Sequence, residues 1–379
     1  MPLRVSNSGG SFKMPQMEVV TEYFYEMPTT ANWKSITYGN GKFVAVANSS
    51  DISAYSTDGI NWTQTTLPVS AKWADITYGN GKFIAIDSAK NSGVFSYSSD
   101  GITWYMNTTI ISSRGTYISH IVYGNSKFVA VGVGVENLAA CSNNGIDWET
   151  NLIPTRACYD ITYGNNMFVV VAEGNAVVTE DGGVLSIILY SVDGINWESY
   201  TLPIHNYTYQ HIKYGNDMFV AISGNTSCLS YSSEGIQSWH KYSLPINRDW
   251  SAFTYGNGMF IAVASNNDMI YSTDGITWNQ STMPLSSNWS DICYDNGVFI
   301  AIANNSNQVA YSTDGISWIT AITETTYQPL FTKREDDDPD KDWEYHGNKI
   351  MTQDYTDIRD ITTGESCLEQ LQRITGEVL

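Results

Sequence analysis

One strand-and-turn grammar recurs seven times between residues 33 and 323, and that recurrence limits the chain to a repeat architecture. Tyr-Gly-Asn starts at Tyr38, Tyr78, Tyr123, Tyr163, Tyr214 and Tyr255, and a seventh copy reads Tyr294-Asp295-Asn296. Each is followed by an aromatic and an aliphatic run, such as Phe43-Val-Ala-Val or Phe260-Ile-Ala-Val. A serine comes next (Ser56, Ser98, Ser142, Ser191, Ser232, Ser272, Ser312), then a tight turn and a tryptophan. Those tryptophans are Trp62, Trp104, Trp148, Trp197, Trp239, Trp278 and Trp318.

One copy reads as four strands. Ile36-Thr37-Tyr38 is a short strand, and Gly39-Asn40-Gly41 is a hairpin turn that needs positive φ. The run from Phe43 to Val46 is too continuously apolar to be half-solvated, so both of its faces must be buried. A third strand begins at Ala54, Asp58-Gly59 turns, and Trp62 to Leu67 forms an outer strand. Four antiparallel strands in one copy make a blade. Blades stacked radially bury both faces of each inner strand, and a closed ring leaves no exposed end. The expected fold is therefore all-β: a seven-bladed β-propeller with a short C-terminal tail.

Three segments follow from this. Residues 1–28 are an N-terminal arm and closing strand, 29–323 the propeller, and 324–379 a linker and attachment segment. Met27-Pro28 precedes Trp33 as Leu67-Pro68 precedes Trp73, so residues 18–28 look like an outer strand without its own blade. The last copy ends without Leu-Pro, and the arm is expected to replace or flank residues 318–323 there. In the tail, residues 333–342 read as a charged, proline-broken linker and 343–351 as a small hairpin. Leu368, Leu371 and Ile374 mark one face of a short helix.

Charge narrows the partners. With 19 Lys+Arg against 39 Asp+Glu the formal charge is -20, which argues against nucleic acid and against anionic lipid. No apolar run is long enough to insert in a membrane, and the first residues lack the apolar core of a signal peptide. Five scattered cysteines fit no zinc spacing, and neither a metal nor a cofactor is expected.

The turn Ser-Thr-Asp-Gly-Ile-Asn-Trp (Ser56 to Trp62, with similar copies ending at Trp104, Trp197, Trp278 and Trp318) resembles the Asp-box of bacterial neuraminidase repeats. It departs from that pattern in that Asp and Gly are adjacent, and Asn144 and Glu234 replace the acid in two copies. The resemblance implies a propeller blade in which the motif serves the fold. A sialidase of that type also needs three arginines around a carboxylate, a Tyr–Glu pair and an acid/base Asp. The repeats hold only Arg114, Arg156 and Arg248, and no catalytic residue is expected.

Candidate ligand contacts come from positions that vary among the copies. Five residues before each strand-one tyrosine stand Trp33, Trp73, Ile118, Cys158, Tyr209, Trp250 and Trp289. Two positions later stand Ser35, Asp75, His120, Asp160, His211, Ala252 and Asp291. Aromatic platforms (Trp33, Trp73, Tyr209, Trp250, Trp289) beside Asp75, Arg156, Asp160 and Asp291 suit a sugar, with its apolar C–H face and its hydroxyls. The alternative, that these rings plug the seams between blades, stays open. From strand-two Phe to the turn acid is 15 residues in the first copy but 25 in the fourth. The extra loop carries Glu180 and Asp181, and a departure from a strict repeat is a place for grafted function.

Residues 343–358 are similar to segments of phage tail-fibre and other virion proteins, and the opening MPLRVSNSGGSF is similar to starts of phage structural proteins. Together these imply a non-enzymatic virion protein made in the host cytoplasm. Its propeller would present a face to a cell-surface glycan or receptor, and residues 333–379 would bind other virion proteins. Two alternatives are a decoration or plug subunit without ligand, and a glycoside hydrolase of sialidase-like fold.

Overall fold

The computed structural model describes residues 16–89, 92–107, 117–134, 138–155, 157–174, 186–202, 208–224, 227–233, 236–329, 331–333 and 343–345, with side chains described only between 24 and 320. It is an all-β propeller with no helix among the described residues. One compact unit spans Phe24–Thr320, and a second joins Met1–Tyr23 to Ala321–Leu379.

The strands form where the sequence alternates apolar runs with turn residues. Trp73–Gly79, Lys82–Asp87, Phe95–Ser98 and Tyr105–Asn107 pair in that order as a four-stranded antiparallel sheet. Tyr209–Gly215 to His240–Ser243, and Trp250–Gly256 to Asn279–Thr282, repeat the arrangement. Residues 117–152 and 157–201 each repeat it within one larger sheet, joined at the Val133–Ala157 pair. The first and last copies share a six-stranded sheet. Second strands are dry on both faces, as in Phe43 to Ala47, where every residue is 0% exposed.

Turn chemistry sets the register. Tyr38 pairs with Phe43 and Gly39 with Lys42, leaving Asn40 (φ 45) and Gly41 (φ 73) as a two-residue hairpin turn. Both angles are left-handed, as a turn matched to strand twist requires. The side-chain amides of Asn40, Asn80, Asn125 and Asn216 then donate to the carbonyls of Ser99, Asn143, Val192 and Thr273 in the next copy's second turn. Both turn types therefore share one face.

First strands touch their successors in chain order, and Trp289–Asp295 of the last copy touches Glu26–Gly39 of the first. That last seam is also stitched by the N-terminus. Ile319 pairs with Tyr311, then Tyr25 N–H donates to Thr320 O and Glu26 pairs with Gln308. The outer strand of the last sheet is thus spliced from Ile319–Thr320 and Tyr25–Met27, with Met27 buried. The arm expected over 18–28 is shorter than the sequence implied, because Gln16–Phe24 pairs instead with Ala321–Pro329. Beyond Met27 the same strand goes on to pair Ala31 with Ser306 and Asn32 with Asn304.

In the tail, Trp343–Tyr345 pairs with Phe331–Lys333, so the small hairpin spans the charged stretch rather than lying within 343–351. Lys333, expected in the linker, is a strand residue. The remaining linker residues 334–342 and the helix expected near Leu368, Leu371 and Ile374 lie outside the described residues.

Candidate functional site: an axial polar cluster

Each first strand carries a bulge at the same place: between Trp33 and Ser35, Trp73 and Asp75, Ile118 and His120, Cys158 and Asp160, Tyr209 and His211, Trp250 and Ala252, and Trp289 and Asp291. A bulge breaks the ladder and re-aims a side chain. Here it sends the residue before it into the core and the residue after it toward the other first strands.

The two series therefore part company. Trp33, Trp73, Trp250 and Trp289 are at most 1% exposed, and Tyr209 is 2% exposed with its hydroxyl bonded to Ser230. These rings fill the seams between sheets. This is the seam-plugging alternative the sequence left open, and the expectation that they form stacking platforms for a sugar is corrected: a ring buried on both faces offers no surface to a ligand. Arg156, Glu180 and Asp181 lie outside the described residues.

Asp75, Asp160 and Asp291, in contrast, converge. Asp291 accepts the Ile36 N–H at 2.8 Å, Asp75 that of Ile121 at 2.9 Å, and Asp160 that of Ile212 at 3.0 Å. Each carboxylate thus caps a peptide N–H of the following copy's first strand. Their other oxygens accept Ile292, Ile76 and Ile161 N–H, each at 2.8 Å. Ser35 Oγ lies 2.8 Å from Asp75 Oδ1 and 2.9 Å from Asp291 Oδ2. His211 Nε2 sits 2.9 Å from the Trp250 carbonyl.

Lys213 was not foreseen, and it balances the centre. Its ammonium is 2.9 Å from Asp160 Oδ2, and His120 Nδ1 is 3.9 Å from Asp160 Oδ1. The signal was present: Thr37, Thr77, Thr162 and Thr254 hold the matching position, with Val122 and Cys293, so a lysine there stands out. Burial works against the charged form of Asp160, but Lys213, then His120 and His211, outweigh it and hold the carboxyl below its ordinary value. Burial would also discharge Lys213, yet Asp160 keeps its pKa raised.

The other groups lack such a partner. Burial pushes Asp75 up to about 7, with neighbouring Asp291 and Asp160 adding to the shift. Burial raises Asp291 as well, against the pull of the Ile36 N–H. Burial lowers His120 to about 4 and also lowers His211, so both imidazoles are neutral at pH 7. Among the described residues no group of three or more His, Cys, Asp or Glu could hold a metal ion.

Arg248, the one repeat arginine described, pairs with Asp268 at the start of a third strand and takes no part in this cluster. Among the described residues no helix is long and apolar enough to cross a membrane.

No family model matches the chain, and no curated protein matches it. Solved structures do. A catalytically inactive virginiamycin B lyase from Staphylococcus aureus with quinupristin superposes with a TM-score of 0.61 at 12% identity, covering 82% of this chain and 99% of the other. YCF48 bound to D1 peptide gives 0.58 at 13% identity, covering 81% and 100%. The Cps50 (Swd1) β-propeller domain from Myceliophteria thermophila gives 0.54 at 8% identity, covering 77% and 99%. At such identities the likeness establishes a shared β-propeller fold.

Proposed function

We propose that the chain is a seven-bladed, non-enzymatic binding propeller carried on a virion appendage. It would hold a cell-surface glycan or receptor on the polar loops of one face, and residues 333–379 would attach it to other virion proteins. The observation that carries the non-enzymatic part is the use made of the axial carboxylates. Every oxygen of Asp75, Asp160 and Asp291 accepts a backbone N–H or a side chain of a neighbouring copy. Acid–base catalysis needs a carboxyl group free to meet a substrate proton, and these are committed to holding strands together.

The cyclic order of first-strand contacts supports seven blades. So does the second turn of the first copy, where Gly59 abuts Ile300 of the last copy. The appendage role rests on the resemblance of residues 343–358 to phage fibre proteins. Solved propellers of similar shape hold a peptide in one case and quinupristin in another, which supports a ligand-binding role for the fold. With the tryptophans buried, the polar groups offered around the axis among the described residues include Lys34, which is exposed, and His120 and Lys213, each about a third exposed.

The test is binding of the full-length protein to a bacterial glycan array and to whole cells, with product analysis. Saturable binding without bond cleavage, weakened by Lys34→Glu, supports the proposal. Release of sugar product would make the chain a glycosidase. Absence of binding to every glycan and cell tested would leave a decoration subunit instead.

A further inference from the structure

The Ser35 hydroxyl has one proton and two carboxyl neighbours. Asp75 Oδ1 lies 2.8 Å away and Asp291 Oδ2 2.9 Å away, both within hydrogen-bond reach. The Ser35 proton satisfies one contact only, and two anionic oxygens facing the same hydroxyl oxygen would leave the other repulsive. Nor can the peptide groups supply the missing proton, because Ile76 and Ile121 already donate to Asp75, and Ile36 and Ile292 to Asp291. Ser35 is itself only 4% exposed.

We propose that Asp75 retains a proton and donates it to Ser35 Oγ, which donates in turn to the Asp291 carboxylate, forming a pH-sensitive latch across the seam where the last copy meets the first. The chain carboxyl–hydroxyl–carboxylate then has one proton for each contact. Position explains why Asp75 is the protonated end. Burial raises both carboxyls and Lys213 acts on both, but Asp75 also carries the push of two negative neighbours, Asp291 and Asp160, while at Asp291 the Ile36 and Ser35 bonds and Lys213 oppose the rise. The remaining charged or titratable groups of the cluster are His120, His211, Lys34 and Cys293, whose thiol is kept protonated by burial and by Asp291. Both imidazoles are held neutral by burial, and Lys34 acts on each of them from the first copy.

The latch bridges three first strands, those bearing Asp291, Ser35 and Asp75. When the proton leaves, two negative charges face one hydroxyl at the point where the chain's two ends must stay joined. The folded state holds this proton more tightly than the unfolded state does. The stabilisation is therefore fully present below the unfolded carboxyl pKa near 4, and it is lost as pH rises through the folded value. The lowered carboxyls, including Asp58 and Asp160, titrate below that window, whereas His120 and His211, held neutral in the fold, add stability as pH rises toward the unfolded imidazole value near 6.5, so the latch is read from the difference between wild type and a variant that keeps both histidines.

The experiment is urea unfolding of the full chain between pH 4.5 and 8.5, wild type against Asp75→Asn and, as a control, Asp58→Asn. The ratio of the wild-type to the Asp75→Asn folding constant, in which the shared histidine contributions cancel, is expected to fall by up to about tenfold per pH unit toward neutrality and then level. Asp75→Asn, whose amide can donate to Ser35 Oγ at any pH, should keep only the histidine-linked slope, and Asp58→Asn should follow the wild-type profile. Infrared spectroscopy of the wild type at pH 5.5 should show a buried protonated-carboxyl band that is absent from Asp75→Asn and vanishes by pH 8.5. Parallel pH profiles for wild type and Asp75→Asn would overturn the latch. So would a wild-type spectrum without that band, even if the variant failed to fold.

Discussion

The turns at the rim and the cluster at the axis are built from the same repeat by opposite rules. At the rim the copies agree almost atom for atom. Ser56, Ser98, Ser142, Ser191, Ser272 and Ser312 each accept the N–H of the turn glycine at 2.8–2.9 Å. The Asp or Asn two residues after each serine accepts two further N–H groups. At the axis the equivalent positions hold Ser, Asp, His, Asp, His, Ala and Asp, and no two neighbouring seams are joined alike. A turn closes on itself, so each copy must solve it alone and the same solution recurs. An axial side chain completes its neighbour, so a change in one copy can be matched in the next and the sequence drifts in pairs.

The rim also makes non-local demands, and one of them gives the largest effect. Gly59 has φ +77, and a Cβ there would come within 2.4 Å of Ile300 Cδ1 in the last copy. Gly59→Val should cost about 3–5 kcal/mol, combining left-handed strain with overpacking of a closed seam. Gly41 has nearly the same φ, +73, with nothing within 4 Å, so Gly41→Ala should cost only about 1–2 kcal/mol. Denaturant midpoints of the two variants separate the terms. Equal losses would mean that the seam between the first and last copies bears no load.

At the axis the comparable break is Lys213→Met, which leaves the Asp160 carboxylate without its counter-ion. A fully dry pair broken this way costs about 3–5 kcal/mol; Lys213 is 30% exposed, so about 2 kcal/mol is expected at pH 7. Asp160 is held below its ordinary pKa, so its contribution is present above the unfolded value and lost as pH falls through the folded one. The deficit of the variant should therefore shrink as pH drops below about 4. A deficit constant from pH 7 to pH 3 would assign the loss to packing of the lysine stem instead.

What could be read from the sequence follows the same division. The strands, hairpin turns and Ser-x-Asp-Gly turns are local, each specified within a few residues, and all were legible. Closure by the N-terminus was legible from Met27-Pro28, but the splice at Tyr25 and Thr320 was not, since it joins segments far apart in sequence. At the site, the alternation Trp73–Asp75 was visible while the choice between sugar platform and seam plug stayed open. A bulge between the two residues decides which side chain enters the core, and one sequence carries no mark of a bulge. Lys213 was missed for a related reason: its partner Asp160 belongs to the preceding copy, and only the comparison with Thr162 and Thr254 sets it apart.

The smallest expected effect tests whether the rim needs a charge or only an acceptor. Asp58 Oδ1 accepts the N–H groups of Ile60 and Asn61, each at 2.8 Å, and Oδ2 accepts the Asn61 side-chain amide. The third copy makes the same two backbone bonds with Asn144, at 2.8 and 2.9 Å, so a neutral amide oxygen satisfies the geometry. Asp58→Asn should then cost under about 1 kcal/mol at pH 7, while Asp58→Ala, which leaves the turn's N–H groups to water, should cost about 1–2 kcal/mol. Burial raises the Asp58 carboxyl, but the Asn61 and Ile60 bonds prevail and lower it to about 2. Its charge contributes above the unfolded pKa near 3.9 and is lost as pH falls toward that folded value, so the Asn variant should match wild type at pH 2. A loss in Asp58→Asn as large as in Asp58→Ala would show that the charge itself holds the turn, and the third copy would then owe its stability to something other than Asn144.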